Sequence, residues 1–357
     1  MKIYRQLYGQ IISVENLFLS WEKFSKGKRG KPDVAFFERH LEENIFALHR
    51  ELKAKIYQHG SYTNFYIRDP KVRYISKASV RDRIVHHALF RVLSTIFEPT
   101  FIATSFSCQI GKGNHEGVEV LAQLARKVSQ NYTKPCFALK CDIKKFFDSV
   151  DHQILLSIMT KRVRDVATMD LVRDIVGSYY VSQTDLFHRQ GIPIGNLTSQ
   201  LFANIYMNEF DQFIKHQLKV QHYLRYTDDF IILSDSKDEF DTLLLQVKMF
   251  LQEKLHLSLH KHKVNVRTLH QGIDFLGYVV KPHYRILRTK TRKRLIRCMN
   301  ARIEAYQSGR LGEEKVFQSL HSYQGMMCHA HEYRFTKNLK NKVWFRLPPV
   351  FYNSYFY

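Results

Sequence analysis

The chain has 357 residues, 45% of them hydrophobic and 13% aromatic, enough to build two or three subdomains around a sizeable core. A formal net charge of +22 argues for a polyanionic partner, nucleic acid first and an anionic membrane surface as the rival. No uninterrupted apolar stretch is long enough to span a bilayer, which excludes an integral membrane protein of the helical kind.

In chain order, residues 14–56 read as helices with a charged face, interrupted by a Gly/Pro loop at Lys26-Gly-Lys-Arg-Gly-Lys-Pro32. Tyr62 to Arg68 and Val72 to Ser76 form a short hairpin turned at Asp69-Pro70. A helix runs from about Arg81 to Phe97 and stops before Pro99. His115 to Gln130 is helical, Pro135 to Ile143 is a strand, His152 to Tyr180 is helical, and Ser199 to Leu218 is a strongly amphipathic helix. Residues 238–255 form a helix and 273–280 a strand, and 290–307 and 313–340 are helical. Alternating strands and helices with long insertions predict an α+β (or α/β) sheet carrying helical appendages. The start, Met1-Lys-Ile-Tyr-Arg-Gln, lacks the pattern of a secretion signal. The five cysteines are scattered and form no CxxC. Reduced thiols in the cytoplasm are the expectation.

The segment His222-Tyr-Leu-Arg-Tyr-Thr-Asp-Asp-Phe-Ile-Ile-Leu233 carries the most information. Its flanks are rich in β-branched and aromatic residues and read as two strands joined by a two-residue Asp228-Asp229 turn. Two carboxylates side by side at the tip of a buried sheet repel each other, and desolvation sharpens the repulsion. A divalent cation relieves it, which points to metal-assisted phosphoryl chemistry. Asp142 ends the strand Phe137 to Cys141, well placed to meet that tip. Alone, Asp142 reads equally as a helix N-cap and the Asp pair as an exposed turn. Together they suit two ions sharing carboxylates and substrate phosphates, one activating a 3′-hydroxyl and one steadying pyrophosphate. All-oxygen ligands favour Mg²⁺ over zinc.

Between Lys281 and Arg297 lie eight basic residues and no acid: Lys281, Arg285, Arg288, Lys290, Arg292, Lys293, Arg294 and Arg297. A charge run is usually a solvated face, but eight uncompensated cations repel, so a surface tracking a nucleic-acid backbone is the expectation. Tyr284 lies within it, a packing residue or a base stacker. His256, His260 and His262, and Cys328 with His329 and His331, cluster without matching a zinc spacing.

Asp142 with Phe147, Tyr226-Thr-Asp-Asp229 and Phe275-Leu-Gly-Tyr278 resemble, in order, the signature blocks of reverse transcriptases. Arg73-Tyr-Ile-Ser, Arg81 to Ala88 and Ser105 to Gly113 resemble that family's fingers blocks. The resemblance implies a right-hand polymerase fold: N-terminal extension and fingers at 1–133, a palm of antiparallel sheet and helices at 134–285 (153–185 helical and fingers-proximal), a helical thumb at 286–340 and a tail at 341–357. It implies that Asp142, Asp228 and Asp229 bind two Mg²⁺, with Ile143 a further metal-binding position. Phe147 would be the gate that leaves no room for a 2′-hydroxyl, which makes dNTPs the substrates; one of Phe146 and Phe147 is a core residue. Arg73 would clamp the triphosphate by forked hydrogen bonds, with Arg68, Lys71 and Lys77 as further candidates and an ion pair to Asp69 or Asp82 as the alternative. Gly195, Gln200 and Tyr226 join the substrate-binding positions. Lys261 or Lys263 would serve the departing pyrophosphate, Lys261 being the choice, and Phe275 to Tyr278 would be the primer-grip hairpin.

The block Gln190 to Tyr206 departs from most reverse transcriptases. Ile194 stands where they carry glutamine, and Ser199-Gln200 where they carry Ser-Pro. That pattern resembles the reverse transcriptases of diversity-generating retroelements, bacterial or phage-encoded. It implies copying of a template-repeat RNA into cDNA with adenine-biased errors, through an RNA/cDNA heteroduplex, with a small basic oligomeric accessory variability protein as partner. Loss of an amide removes an orientation-dependent contact, so nucleotide selection should relax; ordinary packing at Ile194 is the alternative. The rival functions are a group II intron-like or retron-like reverse transcriptase, and a non-catalytic RNA-binding protein on the same fold. Against the intron rival, the chain ends soon after the thumb; against the retron rival, that group's thumb motif is not found.

Overall fold

A computed structural model describes residues 2–69, 71–183 and 189–346. Pro70 of the expected turn and residues 347–357 of the expected tail lie outside them. The chain divides into two compact units: one of residues 1–113, 140–232 and 238–265, the other of 114–139, 233–237 and the chain from 266 on.

In the first unit, helices Tyr8–Ile12, Val14–Ser25, Pro32–Arg39 and Leu41–Lys53 confirm the helical N-terminal region and its break at 26–31. Ser13 caps the second of them by accepting the Asn16 N–H. Its apolar face, with Leu17, Trp21 and Phe24 buried, packs on helix Val80–Phe97, whose Ile84, Val85, Ala88 and Leu89 are fully enclosed. Ser79 starts that long helix by accepting the Asp82 N–H, and Pro99 ends it in a single tight turn. Strands β1 (Thr63–Ile67) and β2 (Arg73–Lys77) form the expected antiparallel hairpin, Tyr66 opposite Tyr74. Every residue of β1 is exposed, while β2 buries Ile75 and Ser76, so only the second strand of this ribbon reaches the core.

Strand β3 (Phe137–Asp142) is followed by the short helix Phe146–Ser149 and helices His152–Thr160 and Val166–Gly177. The helical stretch expected to reach 185 stops at Gly177; β4 (Ser182–Gln183) then pairs with β5 (Arg189–Gln190). Asp151 and Asp165 cap the two helices, and Asp165 also accepts the Leu7 and Tyr8 N–H groups at 2.6 and 2.7 Å, tying down the N-terminus. Helix Leu197–Gln212 is not amphipathic as expected: its buried residues, from Thr198 to Asp211, fall on nearly every side. It packs on helices Val80–Phe97, His152–Thr160 and Glu239–Leu255 at once, so burial is not confined to one face.

Strands β6 (Tyr223–Tyr226), β7 (Asp229–Ser234) and β8 (Asn265–Thr268) complete a four-stranded sheet of order β6-β7-β3-β8. In the second unit, the segment expected as one strand at 273–280 is a hairpin: β9 (Ile273–Phe275) and β10 (Tyr278–Lys281) pair antiparallel about Leu276-Gly277. Both turn residues take positive φ, +49° and +92°, the geometry a two-residue hairpin favours. Strand β11 (Tyr284–Leu287) extends this sheet, and helix Asn114–Val128 packs on β10. Helices Thr289–Gln307, Glu313–Met327 and Tyr333–Trp344 close the unit; the expected single helix over 313–340 breaks in two at Cys328–Glu332.

The basic run is less bare than its sequence suggests. Arg285 pairs with Glu119 at 2.5 Å, Arg288 with Asp274, and Arg292 with the buried Glu332, whose carboxylate also accepts the Leu287 N–H. Carboxylates distant in sequence therefore neutralise part of a run that reads as uncompensated. Among the described residues no helix is long and apolar enough to cross a membrane, and none of the five cysteines is in a disulfide.

Candidate active site

The acidic groups come from a strand end and a hairpin tip in the first unit. Asp142 closes β3 and is 9% exposed. In the hairpin Tyr226 sits opposite Asp229, so the two-residue turn is Thr227-Asp228 and Asp229 already belongs to β7. The expected Asp-Asp turn is thus displaced by one residue. The cause is at Thr227, whose φ is +55°, uncommon for a β-branched residue. Two contacts hold it there: its carbonyl accepts from Arg225 Nη1 at 2.8 Å, and its hydroxyl donates to Ser107 Oγ at 2.6 Å.

The three carboxylates feel one another. Burial first, then the charges of Asp229 and Asp142, push the Asp228 carboxyl from an ordinary 3.8 up to about 6. Burial also raises Asp229; Lys140 opposes the rise, and Asp142, within hydrogen-bonding reach of Asp229, reinforces it. Lys263 Nζ donates to both oxygens of Asp142 at 2.8 Å. Of the two lysines considered in this segment, then, Lys263 reaches the acidic group. The turn His260–Lys263, closed by Lys263 N–H to the His260 carbonyl at 2.9 Å, folds it back and leaves Lys261 exposed. Ile143 bridges to Leu259 through its neighbours: Lys144 N–H donates to the Ser258 carbonyl and His260 N–H to the Asp142 carbonyl. Ile143's own carbonyl stays out of that pairing.

Among the described residues no three His, Cys, Asp or Glu side chains gather tightly enough to hold an ion alone. Mg²⁺ takes one or two carboxylates and completes its shell with substrate phosphates and water. The donor set fits: hard oxygens, an excess of buried negative charge, and an ammonium already drawn to it.

A cleft of about 880 Å³ lies in the same unit, lined by Asn64, Arg73, Tyr74, Asp148, Tyr179 and Ile194 among others. It brings Arg73 and Ile194 together. Arg73 is exposed on β2; burial and then Cys108 raise the half-buried Tyr226 phenol, and the charge of Arg73 opposes the rise. Asp82 is taken by Tyr57, Ser79 and Arg81, which leaves no room there for the ion pair considered for Arg73. Phe146 is the core member of its pair, 2% exposed; Phe147 is half-buried, edge-on to it at 5.4 Å, and its neighbour Asp148 lines the cleft. The Phe147 carbonyl accepts the Ile192 N–H at 2.8 Å, which docks the Ile194 loop on this short helix.

That loop is pinned to β2 as well. Ser76 N–H donates to the Ile194 carbonyl at 3.2 Å, and Asn196 Nδ2 to the Ser76 carbonyl at 3.3 Å. Gly195 between them has φ +119°, and a Cβ there would lie 2.9 Å from Ile75 Cγ2. Gly195→Ala is expected to cost about 1–3 kcal/mol of stability, read from chemical denaturation. An unmoved midpoint would mean the loop docks less tightly than this.

Other expected positions stand apart. Arg68 and Lys71 are exposed at the β1–β2 tip, Gln200 is exposed on the first turn of helix Leu197–Gln212, and Lys77 is held by Asp33 at 2.8 Å, which Arg83 shares. Sequence reading missed Arg225 and Asp211, both fully buried and paired at 2.6 Å. The signal was available: an arginine inside an apolar strand requires a buried carboxylate partner.

Residues 67–280, more than half of the chain, match the family described as reverse transcriptase (RNA-dependent DNA polymerase). The chain is 22% identical to the group II intron-encoded protein LtrA of Lactococcus lactis subsp. cremoris over 82% of this chain and 59% of that one. It is 24% identical to protein YkfC of Escherichia coli over 62% and 65%. It is 22% identical to the putative COX1/OXI3 intron 2 protein of Saccharomyces cerevisiae over 58% and 30%. The chain therefore spans less than two thirds of the length of each of these relatives.

Proposed function

The chain belongs to the reverse transcriptase (RNA-dependent DNA polymerase) family, and from that premise we propose that it copies an RNA template into DNA from dNTPs, using Asp142, Asp228 and Asp229. The observation that carries the reading is the convergence of these three carboxylates, Asp142 buried and the hairpin pair half-buried, with Lys263 on Asp142. Divalent ions serve this family in general; here we assign two Mg²⁺ to Asp142, Asp228, Asp229 and the Ile143 carbonyl. When bound, they supply positive charge that lowers the pKa of the primer 3′-hydroxyl and steadies the leaving pyrophosphate.

The chain's own residues do the rest. Arg73, at the mouth of the cleft, holds the triphosphate through its forked donors, with Arg68 and Lys71 adding positive potential on the same ribbon. Phe147 excludes the 2′-hydroxyl. Lys263, which donates to Asp142 at 2.8 Å, would be placed to neutralise pyrophosphate. The boundaries proposed for fingers, palm, thumb and tail are 1–133, 134–285, 286–340 and 341–357. Primer extension on an RNA template with dNTPs tests the reading, with Asp228→Ala as control. Equal extension by both proteins, or none by the parent, removes it and leaves an RNA-binding scaffold.

Within the family we assign the chain to the diversity-generating retroelement type, working in the cytoplasm with a small basic accessory protein. Support comes from Ile194 and Ser199-Gln200, with Ile194 lining the cleft beside Arg73. An alkyl group there offers no hydrogen bond by which to reject a mispaired nucleotide. Ile194→Gln should lower adenine misincorporation in sequenced cDNA by roughly tenfold; equal adenine error rates would remove this subclass argument. Likeness to LtrA over 82% of the chain favours a second reading, an intron-type enzyme. A repeat pair in the neighbouring DNA that differs only at adenines separates the two.

A further inference from the structure

Arg225 and Asp211 are 0% exposed. A fully buried ion pair returns little more than its desolvation costs, and apolar residues of similar volume commonly serve stability as well. The presence of Arg225 on β6, the strand that leads into the acidic turn, therefore calls for another role. The guanidinium makes a fork on Asp211, Nε at 2.7 Å and Nη2 at 2.6 Å, and Tyr223 donates to the same carboxylate at 2.6 Å. Its remaining donors reach Thr227 O at 2.8 Å, Ser105 Oγ at 3.1 Å and Asn204 Oδ1 at 3.4 Å. Asn204 in turn donates to the Ser107 carbonyl at 2.8 Å, and Ser107 Oγ accepts from Thr227. The Arg225 backbone is clamped too: its N–H donates to the Thr104 carbonyl and its carbonyl accepts the Phe106 N–H, both at 3.0 Å.

The geometry points to Arg225, fixed by Asp211, as a positioning residue for the acidic turn. Three separate segments meet at this guanidinium: 104–107, helix Leu197–Gln212 and the β6–β7 hairpin. Together with Ser107 it holds the carbonyl and the hydroxyl of Thr227. Those anchors keep a β-branched residue at φ +55°. That conformation ends β6 at Tyr226 and places Asp228 on the turn and Asp229 on β7. The relative placement of the two carboxylates thus depends on a pair that touches neither. This also gives the Ser105-Phe-Ser107 segment a function: its hydroxyls are the far wall of the clamp.

The inference rests on the polymerase reading, and its test separates the two. Arg225→Lys keeps a charge for Asp211, but one ammonium cannot also fork to Thr227 O. Mn²⁺ titration followed by electron paramagnetic resonance, with template–primer and a non-hydrolysable dTTP analogue bound, reads the carboxylates together with the phosphates that complete the shell; steady-state kinetics with dTTP follow. The folded Lys variant should bind Mn²⁺ roughly 10–100-fold more weakly and lose kcat to match, while KM for dTTP holds. Unchanged Mn²⁺ affinity and kcat in a folded Lys variant overturn the inference while the polymerase reading stands. If the Lys variant does not fold, Ser107→Ala, which removes only the hydroxyl anchor, carries the test: weaker Mn²⁺ binding supports the clamp, and unchanged binding overturns it. A parent protein that neither binds Mn²⁺ nor extends a primer overturns both readings.

Discussion

Asp228→Asn should abolish primer extension while making the metal-free protein more stable. The two effects share one cause. Asp228 sits half-buried at the hairpin turn, and burial with the charges of Asp229 and Asp142 raises its carboxyl to about 6. Its folded state holds a proton that the unfolded chain releases near 3.8. Metal-free stability therefore declines as pH rises from about 4 to about 6 and is flat above that window, by at most about 3 kcal/mol from this group. Asparagine keeps the shape and removes the charge, so the thermal midpoint at pH 8 should rise by a few degrees, roughly ΔΔG divided by the entropy of unfolding. Activity should fall by roughly a thousandfold or more, the scale of losing a group that stabilises developing charge. Mg²⁺ should raise the parent's midpoint more at pH 8 than at pH 5.5, and the variant's hardly at all. A variant that is both inactive and less stable would mean that Asp228 is structural, held by contacts rather than strained by repulsion.

Much of this frame was legible before any coordinates. The Gly/Pro break at 26–31, the alternation on both sides of Asp69-Pro70 and the apolar run into Asp142 are local signals, and local signals were enough for those elements. The acidic hairpin was legible as a hairpin but not in its register. Apolar residues flank the Thr-Asp-Asp segment on both sides, and the choice of turn is made by Arg225 and Ser107, which reach Thr227 through tertiary contacts. The same holds for the basic run, whose partners Glu119 and Glu332 lie far away in sequence. Lys261 and Lys263 are equivalent as letters, and only the His260–Lys263 turn sends one of them to Asp142. Leu276-Gly277 is different. The glycine that turns β9 into β10 lies in an apolar run that reads as one strand, and it was the resemblance to a primer-grip hairpin at Phe275 to Tyr278 that marked the turn.

Phe147→Ala should let the enzyme accept ribonucleotides. Phe146 and Phe147 are adjacent on a four-residue helix, yet only the first is in the core. The second is half-buried against it, and its backbone carbonyl anchors the loop that carries Ile194 into the cleft. Removing the ring leaves that hydrogen bond in place, because it uses the main chain. The fold should therefore lose little, and the loss of the ring tests the gate directly; of this short helix, Asp148 lines the cleft that also holds Arg73. A 2′-hydroxyl rejected by crowding alone is admitted once the crowding goes. The preference for dTTP over UTP, as a ratio of kcat/KM, should narrow by roughly a hundredfold, mostly through a gain for UTP. Phe146→Ala is the counterpart: it should destabilise by about 3–5 kcal/mol, as core aromatic truncations do, and leave the ratio in place. If the two substitutions exchanged these outcomes, the gate would belong to Phe146 and the orientation of the short helix would have to be reassigned.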